Sequence, residues 1–290
     1  MMNFAIFRCC PTSIFLKQYE SSTDAILKKL GIDFIDIKEF NCCGYPLKNI
    51  DFKAYVLSSA RNLALARQRN VAMLTFCNCC YNTIKHVQHL LREDAALLGD
   101  VNTTLAKEGL QCTPDVKVLH LLEALHKEIG IETIKAKLVH TFKDLNIATH
   151  YGCHLLRPAD IMQFDNPIAP TIFDQLVEIT GARSIPWDTK LDCCGSPVWG
   201  VDDDLSMDLS AKKLDDAARA GADFLCSACV FCQLQFDRVQ KMMIAKRGSR
   251  KPLPSILYTQ LLGLGLGLDE TELGIAQNEL DSTGIRRFMV

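Results

Sequence analysis

A chain of 290 residues, 48% of them hydrophobic and 23% charged, is long enough for two ordinary domains with buried cores. Its formal charge of −2, with no block of lysine and arginine, argues against a nucleic-acid partner. No apolar run reaches the length of a membrane span and the first residues do not read as a secretory signal, so we expect a cytoplasmic protein. In such a reducing compartment, the fourteen cysteines are expected to be metal ligands or redox groups, not disulfides.

Strands and helices are predicted to alternate along the first half of the chain. Short apolar or period-2 segments predict strands, and apolar residues at helical spacing predict the helices between them. The predicted strands are 4–7, 32–37 and 71–76, and the predicted helices are 21–30, 51–70 and 82–98. The segment 99–143 is the least periodic, and two helices are predicted in it, at 118–129 and 132–142.

The second half repeats this order. Its predicted strands are 145–150, 183–186 and 223–225, its predicted helices are 171–180, 205–220 and 233–246, and a hydrophobic tail follows at 256–268. Alternation of strands and helices favours parallel sheets with helices on both faces. We therefore predict an α/β fold of two duplicated Rossmann-like halves. The predicted domains are 1–143 and 144–290, the second with a C-terminal docking tail.

An adjacent cysteine pair followed by glycine occurs twice, as Cys42-Cys43-Gly44 and Cys193-Cys194-Gly195. Each copy has one cysteine upstream and a Cys-x-x-Cys downstream at similar distances. The first cysteine set is Cys10, Cys42, Cys43, Cys77 and Cys80, and the second cysteine set is Cys153, Cys193, Cys194, Cys229 and Cys232. Every group follows a predicted strand, and functional residues of parallel sheets gather beyond the carboxyl ends of strands. Each set is therefore expected to meet at one site.

Five thiolates in a set exceed the four ligands of a structural zinc ion or of an ordinary cubane iron–sulfur cluster. The count favours a cluster with additional or bridging thiolate ligation, and a pair of zinc sites is the alternative. The glycine that follows each pair would let the backbone approach a bulky inorganic group closely.

The outer member of the first set has two candidates, Cys9 and Cys10. Superposing residues 4–10 on 147–153 places Cys10 on Cys153 and Cys9 on Gly152, which favours Cys10. The remaining cysteines match no ligand position in the repeated spacing: Cys79, Cys112 and Cys226.

The pattern Cys-x(n)-Cys-Cys-Gly-x(n)-Cys-x-x-Cys, present twice, resembles the cysteine-rich CCG domain of the B subunit of heterodisulfide reductase. The segments 151–158, Tyr-Gly-Cys-His-Leu-Leu-Arg-Pro, and 229–236, Cys-Val-Phe-Cys-Gln-Leu-Gln-Phe, are also similar to that family. The resemblance implies one noncubane [4Fe-4S] cluster in each cysteine set. It also implies that a disulfide is cleaved between the two clusters, each capturing one sulfur while supplying an electron.

By this resemblance the chain would be the catalytic subunit of a heterodisulfide reductase-type complex. Its substrate would be the coenzyme M–coenzyme B heterodisulfide of methanogens or a related disulfide, reduced to two thiols. The sequence has neither a dinucleotide fingerprint nor a ferredoxin-type cysteine run, so electrons must come from partners. The family supplies them from a ferredoxin-like C subunit and a flavin-bearing A subunit, often joined by a hydrogenase or formate dehydrogenase.

A second hypothesis is an electron-relay component of a larger redox complex, in which no disulfide is reduced. Two complete cysteine sets favour the enzyme, because a relay needs only one site.

Four polar residues beside the cysteine groups are candidates for other roles. His154 could give a proton to a departing thiolate, because histidine titrates near neutral pH; the alternative is a histidine that satisfies backbone groups. The cations Arg8, Lys48 and Arg157 could hold an anionic end of the substrate, with plain surface ion pairs as the alternative.

Overall fold

The computed structural model describes residues 3–248 and 251–290, which form two compact units. The first unit contains residues up to 10 together with 33–124 and 154–167, and the second contains 11–32, 125–153 and 168–290. Each unit therefore combines segments that are distant in the sequence. The predicted domains, 1–143 and 144–290, follow the sequence repeat and stay a prediction.

Each unit is built on a four-stranded parallel sheet. In the first unit the strands are β1 (Phe4–Phe7), β2 (Phe34–Ile35), β3 (Ala72–Thr75) and β4 (Val118–His120), in the order β2-β1-β3-β4. In the second they are β5 (Asn146–His150), β6 (Arg183–Ser184), β7 (Phe224–Ser227) and β8 (Ser255–Leu257), in the order β6-β5-β7-β8. The identical strand order confirms the predicted α/β fold of two similar halves with parallel sheets.

Helices connect the strands and flank the sheets. They are α1 (Thr12–Phe15), α2 (Lys17–Leu30), α3 (Phe52–Gln68), α4 (Asn78–Glu93), α5 (Ala95–Leu105), α6 (Leu121–Glu123), α7 (Ile131–Lys135), α8 (Cys153–Leu156), α9 (Ala159–Met162), α10 (Ile172–Glu178), α11 (Asp203–Arg219), α12 (Val230–Leu234), α13 (Gln240–Arg247), α14 (Tyr258–Gly265) and α15 (Glu270–Leu273). Short 3₁₀ helices follow the two cysteine pairs, at Tyr45–Leu47 and Ser196–Val198. Within the described ranges, none of these helices is both long enough and apolar enough to cross a membrane.

The central strands are short and are buried on both faces. All four residues of β1 are buried, as are those of β3 and β7, which agrees with their continuous apolar sequences. The long helices that follow the cysteine pairs have matching N-terminal caps. The side chain of Asp51 accepts a hydrogen bond from Ala54 N at the start of α3, and Asp202 accepts one from Leu205 N at the start of α11.

The predicted helix at 118–129 is wrong at its start. Residues 118–120 form β4, in parallel register with β3, with Thr75 paired to His120. Pairing with a buried neighbouring strand outweighs the helical spacing of the apolar residues here. The predicted helix at 82–98 is instead two helices, α4 and α5, and α4 begins earlier, at Asn78. The predicted helix at 132–142 is limited to α7.

Candidate metal centres

The cysteines of each set lie beyond the carboxyl ends of the strands in their own unit. In the first unit, Cys9 and Cys10 follow β1, the pair Cys42 and Cys43 follows β2, and Cys77 ends the turn after β3 as the N-cap of α4. The second unit repeats the arrangement after β5, β6 and β7, with Cys229 as the N-cap of α12. All fourteen cysteines fall within the described ranges, and none of them is paired in a disulfide.

Six of the thiols of the first unit form a ring. Cys10 Sγ lies 4.0 Å from Cys42 Sγ, and from there hydrogen-bonding contacts run to the next thiol in turn. The order of these contacts is Cys10, Cys42, Cys43, Cys80, Cys77, Cys9 and back to Cys10. The Sγ atoms of Cys9, Cys77 and Cys80 lie within 4.8 Å of one another. The structure thus brings both Cys9 and Cys10, the two alternatives for the outer ligand, to the same site.

Five of the thiols of the second unit form an open chain of contacts. Their contacts run from Cys153 through Cys193, Cys194 and Cys232 to Cys229. A histidine joins this group, since Nε2 of His150 lies 3.3 Å from the Sγ of Cys232, and His150, Cys194 and Cys232 form a triad within 4.8 Å. His150 is the last residue of β5 and is 1% exposed.

Both sites have a buried inner part and a more exposed outer part. The inner thiols are at most 6% exposed: Cys9, Cys43, Cys77 and Cys80 in the first unit, and Cys194, Cys229 and Cys232 in the second. The outer thiols are Cys10 with Cys42, and Cys153 with Cys193; Cys10 is exposed and the other three are half-buried. Each site therefore opens to solvent on the side of its outer pair.

The first cysteine of each adjacent pair is the acidic one. A hydrogen bond from Cys10 lowers the pKa of Cys42 to about 2, and one from Cys153 lowers the pKa of Cys193 to about 2. The second cysteine has the opposite shift, because its thiol donates to its neighbour: the pKa of Cys43 is raised, and that of Cys194 is raised to about 12. A thiolate is the form that binds metal, and Cys42 and Cys193 are the members of the adjacent pairs that ionise most readily.

The glycine after each pair is required by the following helix. Gly44 has φ +93°, and a Cβ there would lie 2.7 Å from the backbone oxygen of Tyr55 in α3. Gly195 has φ +90°, and its Cβ would lie 2.6 Å from the backbone oxygen of Ser206 in α11. The glycine thus permits close approach to a helix backbone, whereas the sequence suggested approach to the inorganic group.

Side chains of α3 fix the backbone of the first pair. Asn62 Oδ1 accepts from Asn41 N at 2.9 Å, and its Nδ2 donates to the backbone oxygens of Asn41 and Cys42. The hydroxyl of Ser59 donates to the backbone oxygen of Cys43 at 2.6 Å. These contacts hold the pair without using its thiols.

The second unit has a buried cation where the first has an amide. Lys213 follows Gly195 by eighteen residues, as Asn62 follows Gly44. Lys213 is 1% exposed, its Nζ lies 4.5 Å from the centre of the Trp187 ring, and it donates to the backbone oxygen of Thr189. Burial lowers the pKa of Lys213 to about 8, against the charges of Asp192 and of the nearby cysteines, which raise it.

His154 lies beside a cysteine that the repeated spacing left out. Its Nδ1 is 3.2 Å from the Sγ of Cys79, and the Tyr45 ring meets the imidazole edge-on at 5.6 Å between centroids. Its backbone oxygen accepts from Asn82 Nδ2 at 3.2 Å. His154 is half-buried.

The three candidate substrate cations are placed differently. Arg8 makes a two-pronged ion pair with Asp36, at 2.8 and 3.1 Å, and its side chain is 24% exposed. Lys48 and Arg157 are both exposed, Lys48 at the end of the 3₁₀ helix after the first pair. Their roles toward a substrate stay predictions.

Two of the remaining cysteines lie apart from the sets. Cys112 is buried in a loop where Asn102 pairs with its backbone, and burial raises its pKa to about 12. Cys226 lies within β7, and burial alone raises the pKa of its thiol.

Sequence reasoning missed His150 and Lys213, although His150 ends a predicted strand three residues before Cys153. The signal for Lys213 was its spacing, since it lies three residues after Ser210 and seven after Ser206, on the buried face of α11.

The donor chemistry fits an iron–sulfur group. Soft thiolates are the ligands that iron–sulfur clusters take, and each unit gathers at least five of them at one buried site with an open side. A single tetrahedral ion would leave one thiol over in the second unit and two in the first.

Comparisons with known proteins agree with this chemistry. The chain matches the cysteine-rich (CCG) domain family at residues 4–85 and 147–237, which contain both cysteine sets. It is 35% identical over 97% of its length, and 95% of the relative's, to the B subunit of the ferredoxin/F420H2-dependent CoB-CoM heterodisulfide reductase of Methanosarcina acetivorans. It is 32% identical, over 97% of this chain and 98% of the relative, to the 8-methylmenaquinol:fumarate reductase membrane anchor subunit of Wolinella succinogenes.

Among solved structures, a hypothetical protein from Helicobacter pylori is similar in fold. Its TM-score is 0.78 at 18% identity, over 97% of this chain and 52% of that protein. The present chain thus spans about half the length of that structure, and the likeness concerns the fold alone.

Proposed function

Because the chain belongs to the family of heterodisulfide reductase B subunits, which are cysteine-rich CCG proteins, we propose that it is the disulfide-reducing component of a multi-subunit redox complex. The observation that carries this proposal is the presence of two complete cysteine sets, each gathered at one buried site. Each set would hold one noncubane [4Fe-4S] cluster. Such clusters, when bound, supply single electrons and take up sulfur.

The proposed reaction converts one disulfide, two electrons and two protons into two thiols. The substrate is the coenzyme M–coenzyme B heterodisulfide or a related disulfide, with one sulfur received at each site. The outer pairs, Cys10 with Cys42 and Cys153 with Cys193, give each site the exposure that an incoming sulfur needs.

The chain's own residues would supply a proton and a grip on the substrate. His154 is the proposed proton donor, because its half-buried imidazole lies next to a thiol and keeps access to water. Lys48 and Arg157 are the proposed contacts for an anionic end of the substrate, since both are exposed. Arg8 would have to leave Asp36 to serve the same purpose.

Partner proteins would deliver the electrons one at a time. We propose a ferredoxin-like C subunit and a flavin-bearing A subunit, with a hydrogenase or formate dehydrogenase as the possible source. We propose a cytoplasmic location, because fourteen cysteines that serve mainly as metal ligands fit a reducing compartment better than an oxidising one.

Iron content tests the proposal directly. Chain purified without oxygen should carry about eight iron atoms, and Cys194→Ser should lose about half of them together with disulfide reduction. Cys226→Ser is the matched control, because Cys226 is equally buried in the same unit but lies outside the set. One or two zinc ions per chain with no iron would refute the proposal.

An electron-relay role is the second candidate. It is favoured by the relative from Wolinella succinogenes, whose name places it in a menaquinol:fumarate reductase and not in a disulfide reductase. The two candidates differ in one measurement. If the iron-loaded chain can be reduced by a dye but consumes no disulfide, the relay is the better account.

A further inference from the structure

The first site has one more thiol than the second, and the additional thiol is Cys9. Aligning the sequence 4–10 with 147–153 places Gly152 at the position of Cys9, so the second unit has no cysteine at this position. In the first unit Cys9 closes the ring between Cys77 and Cys10, whereas the contacts of the second unit stop at Cys229 and Cys153.

The backbone has different shapes at the two positions. Gly152 has φ +76°, a value that favours glycine. Cys9 is not among the non-glycine residues of the described chain with positive φ, which are Asn70, Asp144 and Gln163. The backbone at Cys9 therefore has a conformation that accommodates a side chain. The side chain of Cys9 is buried, with 3% of the residue exposed.

Cys9 and Cys10 differ in burial and in their contacts within the ring. Cys10 is exposed and faces Cys42 at 4.0 Å, in the outer part of the site. Cys9 is buried with Cys77 and Cys80, in the inner part, and also contacts Cys10 itself. Both Sγ atoms are therefore within contact distance of other thiols of the first site.

We propose that Cys9 is a sixth metal-binding thiolate of the first site and can take the ligand place of Cys10. This inference rests on the proposed function, in that the bound group is an iron–sulfur cluster. The first site then keeps its cluster when either cysteine is lost. The second site has no such reserve thiol, since Cys226 lies inside β7 and Gly152 has no side chain. Its further donor, His150, is grouped with the inner thiols Cys194 and Cys232.

The test compares equivalent single variants of the two sites. The chain and its variants Cys9→Ala, Cys10→Ala, Cys153→Ala and Cys9→Ala/Cys10→Ala are purified without oxygen, and iron and acid-labile sulfide are measured. The parent and both single variants of the first site should carry about eight iron atoms. Cys153→Ala and the double variant should carry about half as many. Cys112→Ser, which removes another buried thiol of the first unit, is the control.

A spectroscopic readout separates ligand exchange from a merely structural effect. In Cys10→Ala the electron paramagnetic resonance signal of the first cluster should persist with altered g-values, because one ligand has changed. In Cys9→Gly/Cys10→Ala, which copies Gly152, that signal should be absent while the signal of the second cluster remains. The retained second signal also shows that the double variant has folded.

The possible failures are distinct. If Cys10→Ala falls to half the parent's iron, as Cys153→Ala does, Cys9 is not a reserve ligand and the inference is overturned. The same follows if the double variant keeps all of its iron. A parent chain without iron would overturn the proposed function itself, and this inference with it.

Discussion

The Sγ atom of Cys79 lies 3.2 Å from Nδ1 of His154, although neither residue belongs to a cysteine set. Cys79 is carried by the first turn of α4, between the set members Cys77 and Cys80. The contact engages Nδ1 of the ring. The thiol thereby positions the imidazole next to the first site.

Replacement of His154 tests its proposed role as proton donor. His154→Gln should slow disulfide reduction about 100-fold and flatten its dependence on pH between about 6 and 8, because the amide cannot transfer a proton there. Steady-state rates over that pH range are the measurement. Iron content should stay at the parent's value. A loss of iron would instead mean that His154 is needed for the structure of the metal site.

Removal of the Cys79 thiol should have a weaker effect on the same reaction. Cys79→Ala leaves the imidazole in place but removes the contact that orients it, so we expect a rate reduced about tenfold with a preserved pH profile. Cys112→Ala is the control, since Cys112 is equally buried but lies outside the site. An unchanged rate in Cys79→Ala would show that the thiol does not orient the imidazole.

The glycines after the cysteine pairs should be intolerant of any side chain. Gly44→Ala adds a Cβ at 2.7 Å from Tyr55 O in a left-handed backbone conformation, and we expect it to cost about 2 to 4 kcal/mol of unfolding free energy. Urea denaturation of the metal-free chain is the measurement. Gly99→Ala is the control, because a Cβ at Gly99 in α5 meets nothing within 4 Å and should be neutral or stabilising.

Asp174 is expected to stabilise the second unit in a pH-dependent way. It accepts hydrogen bonds from Thr149, Tyr151, Ser184 and Lys190. Burial tends to raise its pKa, but the hydrogen bonds and the charge of Lys190 outweigh it and hold the pKa below the ordinary 3.8.

Asp174→Asn should therefore cost about 2 kcal/mol at neutral pH. A depressed carboxyl pKa means that this stabilisation is complete above pH 3.8 and is lost as the pH falls through the pKa of the folded state. The stability gap between parent and variant, measured by urea denaturation, should shrink below pH 3.8. A gap that stays constant down to about pH 3 would contradict this account.

Lys213 is expected to make the stability of the metal-free chain depend on pH in the alkaline range. Its pKa is lowered by burial from 10.5 to about 8, so between these values the unfolded chain binds more protons and stability rises with pH. In the metal-free parent, the unfolding free energy should rise by up to about 3 kcal/mol over that window, and in Lys213→Met this rise should be absent. Unfolding free energies of parent and variant from about pH 7 to 10 would show it. Parallel curves for the two proteins would mean that Lys213 does not titrate in this range.

The repeat in the sequence predicted the fold and the gathering of each cysteine set at strand ends, because both depend on local pattern. Strand-like runs such as 4–7 and 71–76, each followed by cysteines, place the thiols at strand ends by the geometry of parallel sheets alone. β4 could not be predicted in this way. Its three residues are a strand only because β3 offers an unpaired edge, which is a tertiary effect.

The residues that escaped prediction act through contacts between distant parts of the chain. Nothing near His150 in the sequence indicates that it meets Cys232, eighty-two residues later. The spacing could only treat Cys9 and Cys10 as alternatives, because the choice depends on where each side chain points after β1. The three-dimensional structure brings both to the ring.

The contact between Gly44 and the backbone of α3, repeated by Gly195 and α11, has a consequence for how metal is taken up. Because backbone packing fixes both cysteine pairs, folding alone provides most of the order that the ligands need, and little entropy is left for the metal to overcome. Zinc fingers behave differently, since they are unfolded without metal. The apoprotein should thus be a preorganised receptor: far-ultraviolet circular dichroism should hardly change on loading, and assembly should be limited by delivery of iron and sulfide.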